Sequence, residues 1–190
     1  MSTYAVKHAR PNGWWGMAIF VATEATLFGT MVGTYVYLRI LNAHWPPPNV
    51  VKPPVLTPTL LTVALVLTSL PMQRAWHAAR HGRRSAAWRW ILAAATIQTA
   101  YLVWQAHDFM LLVHALHPSG SAYASVLVTM LAADHLHVLA GILLNVWLLA
   151  RIATRLTPYR VAGIQSITFY WHAVNVISAV VLIVQVSAHF

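Results

Sequence analysis

There is no cysteine among the 190 residues. That excludes disulfides, thiolate metal sites, iron–sulfur clusters and a thiol nucleophile. Charge is nearly as scarce. Only 8% of residues are charged, and only Glu24, Asp108 and Asp134 are acidic. A soluble domain averages about 25% charged residues, so a water-soluble enzyme is excluded. A hydrophobic content of 59% excludes a disordered chain. The net charge of +9 would by itself suit a nucleic-acid partner. The basic residues, however, sit in short groups between long apolar runs rather than on one amphipathic surface, so no nucleic-acid partner is expected. Internal repeats and low-complexity segments are also lacking. The first apolar run is too long for a signal peptide and contains Glu24.

What is present is long apolar sequence. A bilayer core of about 30 Å needs about 20 apolar residues in a helix. Five stretches meet this, at residues 14–38, 58–76, 88–112, 121–149 and 164–186. The expected fold is an all-α membrane protein, a five-transmembrane-helix bundle forming a single domain over residues 1–190. The second span is the least regular, because Pro58 and Pro71 flank only twelve residues. Pro58 suits a helix first turn, and Pro71 is tolerated near a membrane helix end. Between Asn42 and Thr57, Pro46, Pro47, Pro48, Pro53 and Pro54 predict a stiff, extended connection.

Five spans place the termini on opposite sides. One side then carries Lys7, Arg10, Arg74, Arg80, Arg83, Arg84, Arg89, Arg151, Arg155 and Arg160, and the other only Arg39 and Lys52. Positive charge stays inside, so the N-terminus is expected to be cytoplasmic and Phe190 external. Trp14, Trp15, Trp76, Trp88, Trp90, Trp147 and Trp171 fall near the expected inner ends, as an aromatic belt requires.

Polar residues within the spans carry the functional information, since a charge at mid-bilayer costs about 2.5–3.5 kcal/mol on insertion scales. Glu24 and Asp134 lie near mid-span, and Asp108 toward an outer end. No Lys or Arg shares their depth, so a proton or a histidine must compensate them. All three are candidates for proton exchange. At helical spacing, Glu24, Phe28, Met31 and Tyr35 share one face of the first span. Gly29 and Gly33 lie nearly opposite and predict close packing against another helix. Three polar stripes follow: Gln98, Tyr101, Gln105 and Asp108; then Asp134, His137, Gly141 and Asn145; then Gln165, Thr168, His172 and Asn175. Hydrocarbon cannot satisfy them, so they are expected to face one another in a polar seam or lipid-headgroup cleft. The eleven histidines offer no depth-matched pair for a bis-imidazole haem. His135 and His137 stand about 200° apart around a helix and cannot chelate one ion. The chain is therefore expected to hold no metal or haem of its own.

The first span carries Gly13-Trp14-Trp15-Gly16-Met17, Thr23-Glu24-Ala25, Leu27-Phe28-Gly29, Tyr35 and Leu38-Arg39. Gln105-Ala106-His107-Asp108, Leu136-His137-Val138 with Gly141, and Tyr170-Trp171-His172 with Val174 and Val176 follow. In order and spacing these runs resemble the cytochrome c oxidase subunit III family, the first set its glutamate-bearing helix. The resemblance implies the five-helix form, and a haem–copper terminal oxidase subunit without haem or copper of its own. Those groups would sit in partner subunits. It further implies docking on the catalytic subunit I alongside subunit II, bound phospholipid, and support of proton uptake and catalytic lifetime during cytochrome c oxidation. Multi-pass placement in a bacterial inner membrane follows. Glu24 matches the family's carbodiimide-reactive acid. Three departures from the pattern stand out: Asp108 replaces Glu, Asp134-His135 replaces His-Gly, and Asn175 replaces Asp. The same subunit of a quinol oxidase or nitric oxide reductase complex remains an alternative. In other classes, a small proton-coupled transporter or a structural assembly factor does too.

Overall fold

The computed structural model describes residues 12–48 and 50–190. Lys7 and Arg10, two of the cations counted on the inner side, lie outside the described residues. The described residues form helices α1 (Asn12–Leu41), α2 (Leu56–Leu67), α3 (Ser69–Arg80), α4 (Arg84–Leu116), α5 (Ala122–Thr154) and α6 (Pro158–Val186), with no β-strand among them. Because α2 and α3 are two halves of one interrupted helix, the helices make five rods. α1 packs on α5 and α6. The α2–α3 rod packs on α4 and α6, and α4 also packs on α5.

By length and composition, four rods are apolar enough to cross a bilayer: Asn12–Leu41, Leu56–Arg80, Ala122–Thr154 and Pro158–His189. α4 is as long as α5, at 33 residues, but carries more polar side chains. Those polar groups are segregated. Gln98, Tyr101 and Gln105 are buried, while Leu92, Ile97, Val103, Trp104, Met110 and Leu111 face outward. The outward face of α4 is therefore largely apolar, although Thr96, Thr99, His107 and His114 are exposed on it as well.

Most rods outrun the apolar spans. α4 begins at Arg84, α5 continues to Thr154 and α6 starts at Pro158. Hydropathy marks the width of the apolar zone, whereas a helix stops only where its backbone is capped. Ser121 Oγ accepts from the Ala124 amide at the start of α5, and Thr157 Oγ1 does the same for Arg160 at the start of α6. Gly82, at φ +69°, closes α3. Its amide reaches Ala79 O at 3.0 Å and that of Arg83 reaches Ala78 O at 2.9 Å, a Schellman ending that requires the left-handed conformation.

Pro71 stands in the first turn of α3, which falls inside the α2–α3 rod rather than near the rod's own end. Having no N–H, it leaves Leu67 O without a helical donor, and its ring crowds that carbonyl. The helix breaks at Thr68 as a result. The Pro-rich connection is not free-standing either. Trp45 Nε1 donates to Tyr35 Oη at 3.0 Å and stacks edge-on against Tyr35 and Tyr123. His189 Nε2 donates to Pro53 O at 2.8 Å.

The basic groups gather at one end. Arg84 donates to Ala153 O and Thr154 O, tying α4 to the end of α5. Arg74, Arg80 and Arg151 lie over Trp90, Trp76 and Trp147, each about 5 Å from the ring centre. These tryptophans stand with the basic groups at that end, but Trp171 does not. It is fully buried, as a core side chain of α6 packed against Gly141.

Candidate functional site

Glu24 is met by a histidine from another helix. His137 Nε2 of α5 lies 2.9 Å from Glu24 Oε2, with both side chains largely buried at 15% and 17% exposure. His137 Nδ1 lies 2.7 Å from Ala133 O. A carbonyl only accepts, so Nδ1 carries a proton. Nε2 and the carboxyl then share one further proton. The pair is either carboxylic acid with neutral imidazole or carboxylate with imidazolium, and it is electrically neutral in both forms. A neutral pair is what an apolar surround tolerates. Phe28 covers the imidazole edge-on at 5.4 Å, and Tyr170 Oη donates to His137 O at 2.8 Å, locking α6 to the same turn of α5.

The three polar stripes do not converge on one seam. Asn145 Nδ2 donates to Gln98 Oε1 at 2.8 Å, and Gln98 Nε2 donates to Thr68 Oγ1 at 3.2 Å. This buried chain joins α5, α4 and the break in the α2–α3 rod. The α6 stripe turns instead toward α3. Asn175 Nδ2 donates to Ser69 Oγ at 2.7 Å. His172 meets Ser69 Oγ at 3.2 Å and Gln73 Oε1 at 3.3 Å. Gln73 in turn reaches His77 Nε2 at 3.3 Å. The sequence reading assigned the second span no polar stripe. Its Thr68, Ser69 and Gln73 are the missed partners, and their clustering around Pro71 was the available signal.

Asp134 is buried and accepts from Ser178 Oγ at 2.7 Å. Ser178 stands three residues beyond Asn175, so the acid on α5 faces the helix that carries Asn in place of the family's Asp. Tyr101 is buried. Asp108, at 23% exposure, pairs with the adjacent His107 at 3.3 Å. Gly29 and Gly33 do not pack within the chain. Both are exposed, and a Cβ built on either meets nothing within 4 Å. The face of α1 packed within the chain is that of Glu24, Phe28 and Tyr35, because Phe28 and Tyr35 supply the area that two glycines cannot.

A groove lies between α1, α5 and α6 at the basic end. Its lower part, about 430 Å³, is bordered by Arg151, Tyr159 and Arg160. An adjoining part of about 490 Å³ shares Met17, Leu144 and Trp147 and runs up to Phe20 and Tyr170. Phe20 is one turn from Glu24, and Tyr170 is bonded to His137.

Long helices with apolar outward faces, buried polar links between them, and no cluster of metal-ligating side chains among the described residues define a membrane-type helical bundle. Comparison with known proteins narrows this. The profile of the cytochrome c oxidase subunit III family matches residues 2–188. A protein named "Probable cytochrome c oxidase subunit 3" from Nocardia farcinica is 28% identical over 166 residues, covering 85% of this chain and 81% of the relative. The cytochrome c oxidase subunit 3 of Thermostichus vulcanus is 26% identical over 166 residues, covering 85% and 80%. That of Synechocystis is 24% identical over 179 residues, covering 93% and 76%. The chain belongs to the cytochrome c oxidase subunit III family. It is the subunit III component of a haem–copper oxidase complex of aerobic respiration.

Proposed function

We propose that this subunit is a non-redox component that docks on subunits I and II in a bacterial inner membrane, holds phospholipid and maintains proton supply during turnover. The observation that carries this reading is the Glu24–His137 pair, with the α1/α5/α6 groove running up to Phe20, one turn from Glu24, and to Tyr170, which is bonded to His137. Arg151 and Arg160 at the basic end suit a lipid phosphate. The apolar walls up to Phe20 and Tyr170 suit an acyl chain, which would end beside the pair. The shared proton gives Glu24 a group with which to exchange it. Haem and copper belong to the partner subunits, and oxygen reduction takes place there. Affinity purification through this chain should therefore co-purify a complex with haem absorption in the visible range, while the chain released from its partners should be colourless. An isolated chain that keeps a Soret band, lost in His137→Ala, would overturn the non-redox assignment. In Arg151→Gln/Arg160→Gln, retained phospholipid per complex should fall; unchanged phospholipid content would remove the groove from the proposal.

The same reading has the chain as one membrane domain of five spans, with a cytoplasmic N-terminus and an external C-terminus. The asymmetric Lys and Arg distribution supports this, as does the outward apolar face of α4. Reporter tags at the N-terminus and in the turn at residues 81–83 should read cytoplasmic, and a tag after Phe190 external. An external reading from the 81–83 turn would refute the five-span arrangement.

A further inference from the structure

At the outer end of the bundle, a small cavity of about 20 Å³ lies between Gln105 and Asp108 of α4, His135 of α5 and Gln185 of α6. Two of its walls present hydrogen-bonding atoms without partners. Gln105 Oε1 and His135 Nε2 are both buried and unbonded, on side chains that are 7% and 9% exposed. Both are acceptors. The amide oxygen of Gln105 can only accept. His135 Nδ1 is bonded to Leu131 O, so Nδ1 carries the proton and Nε2 of the neutral ring is left with its lone pair. Two buried acceptors facing no donor would each be costly, and among the described residues no N–H or O–H bonds to either.

We propose that this cavity is a binding site for one ordered water molecule. A water needs about 10–15 Å³ of such space and two to four polar partners, and the cavity supplies both. Its two O–H groups match the two orphan acceptors one to one. Its oxygen can accept from Gln185, whose Nε2 spends one of two hydrogens on Pro54 O at 3.3 Å. The water thus joins α4, α5 and α6 and, through Gln185, pins the Pro-rich connection over the bundle's outer end. Asp108 also lines the cavity and is partly exposed. It forms the mouth through which the water exchanges with the outer side. A metal ion is a poor occupant, because among the described residues no three His, Cys, Asp or Glu side chains gather there.

The test is made on the oxidase complex containing this chain. In a density map that resolves other ordered waters, a single peak is expected within hydrogen-bond distance of both Gln105 Oε1 and His135 Nε2. An empty cavity there overturns the proposal, as does a peak with the short distances and many ligands of a cation. A thermal-dissociation cycle gives an independent reading. With water bound, Gln105→Leu and His135→Phe each strand one of its O–H groups. Each should lower the dissociation midpoint by about 2–4 °C, and the double variant, which expels the water, should lose less than the sum. With a dry cavity, each single variant removes an unsatisfied acceptor, so midpoints that rise additively overturn the proposal.

Discussion

Gly141→Ala is expected to cost about 3 kcal/mol or more and to prevent stable incorporation of the subunit into its complex. A Cβ at this position would lie 2.6 Å from Cζ2 of Trp171, 2.9 Å from Cε2 and 3.0 Å from Cη2. All three atoms belong to one rigid indole, and Trp171 is fully buried, so no flexible tip can move aside. Overpacking of this kind commonly costs 1–3 kcal/mol, more where the obstacle is rigid, and a typical total stability is only about 5–15 kcal/mol. The measurement is the amount of subunit retained in the purified complex. Gly141→Ala/Trp171→Phe should recover most of the loss, because the smaller ring vacates the space a methyl group requires. Retention of Gly141→Ala at the wild-type level would show that α5 and α6 are not held at this separation.

Glu24→Ala is expected to destabilise the packing of α1 on α5 by about 1–2 kcal/mol, by leaving His137 Nε2 without its partner. The contacts of α1 with α6 and the burial of Phe28 and Tyr35 remain, so the loss is partial. Glu24→Gln should behave differently. The amide N–H₂ can donate to the unprotonated Nε2 of a neutral His137, so packing is kept while the exchangeable proton is lost. In oxygen-consumption traces followed over many turnovers, both variants should begin near the wild-type rate. Glu24→Ala should inactivate sooner, and Glu24→Gln should stay assembled. The cycle of Glu24→Ala with His137→Ala should show a coupling of about 1 kcal/mol or more in subunit retention. Immediate and complete loss of activity in an assembled Glu24→Gln complex would move this acid from a supporting position into the essential chemistry.

A large part of this was legible before any coordinates. Scarce charge and long apolar runs reflect the energetic demand that hydrocarbon places on every outward residue, and that demand acts on each side chain alone. The five rods and the gathering of the basic loops at one end could be read without knowing which helix touches which. Glu24 and Asp134 could be singled out for the same reason, as charges at a depth where charge is costly. The need for a histidine or a proton beside Glu24 also followed, since no Lys or Arg shares its depth.

Partnership could not be read this way. A polar stripe announces that a helix needs a partner but not which one. The α6 stripe met Ser69 and Gln73 rather than the stripe on α4, because Pro71 breaks the α2–α3 rod and turns those side chains inward. Gly29 and Gly33 promised a close helix contact by their spacing, yet the chain buries the opposite face of α1, where Phe28 and Tyr35 remove more apolar area. Trp171 reads as an interfacial anchor by position and is a core residue in fact, because Gly141 leaves an indole-sized gap on the neighbouring helix. The sequence by itself thus determined which residues must leave lipid and which must find a partner, because transfer energies belong to single residues. Only the tertiary structure decided the pairs, Glu24 with His137, Gly141 with Trp171 and Asp134 with Ser178, because pairing depends on the rotation and offset of one rod against another. Those are settled by the packing of all of them at once.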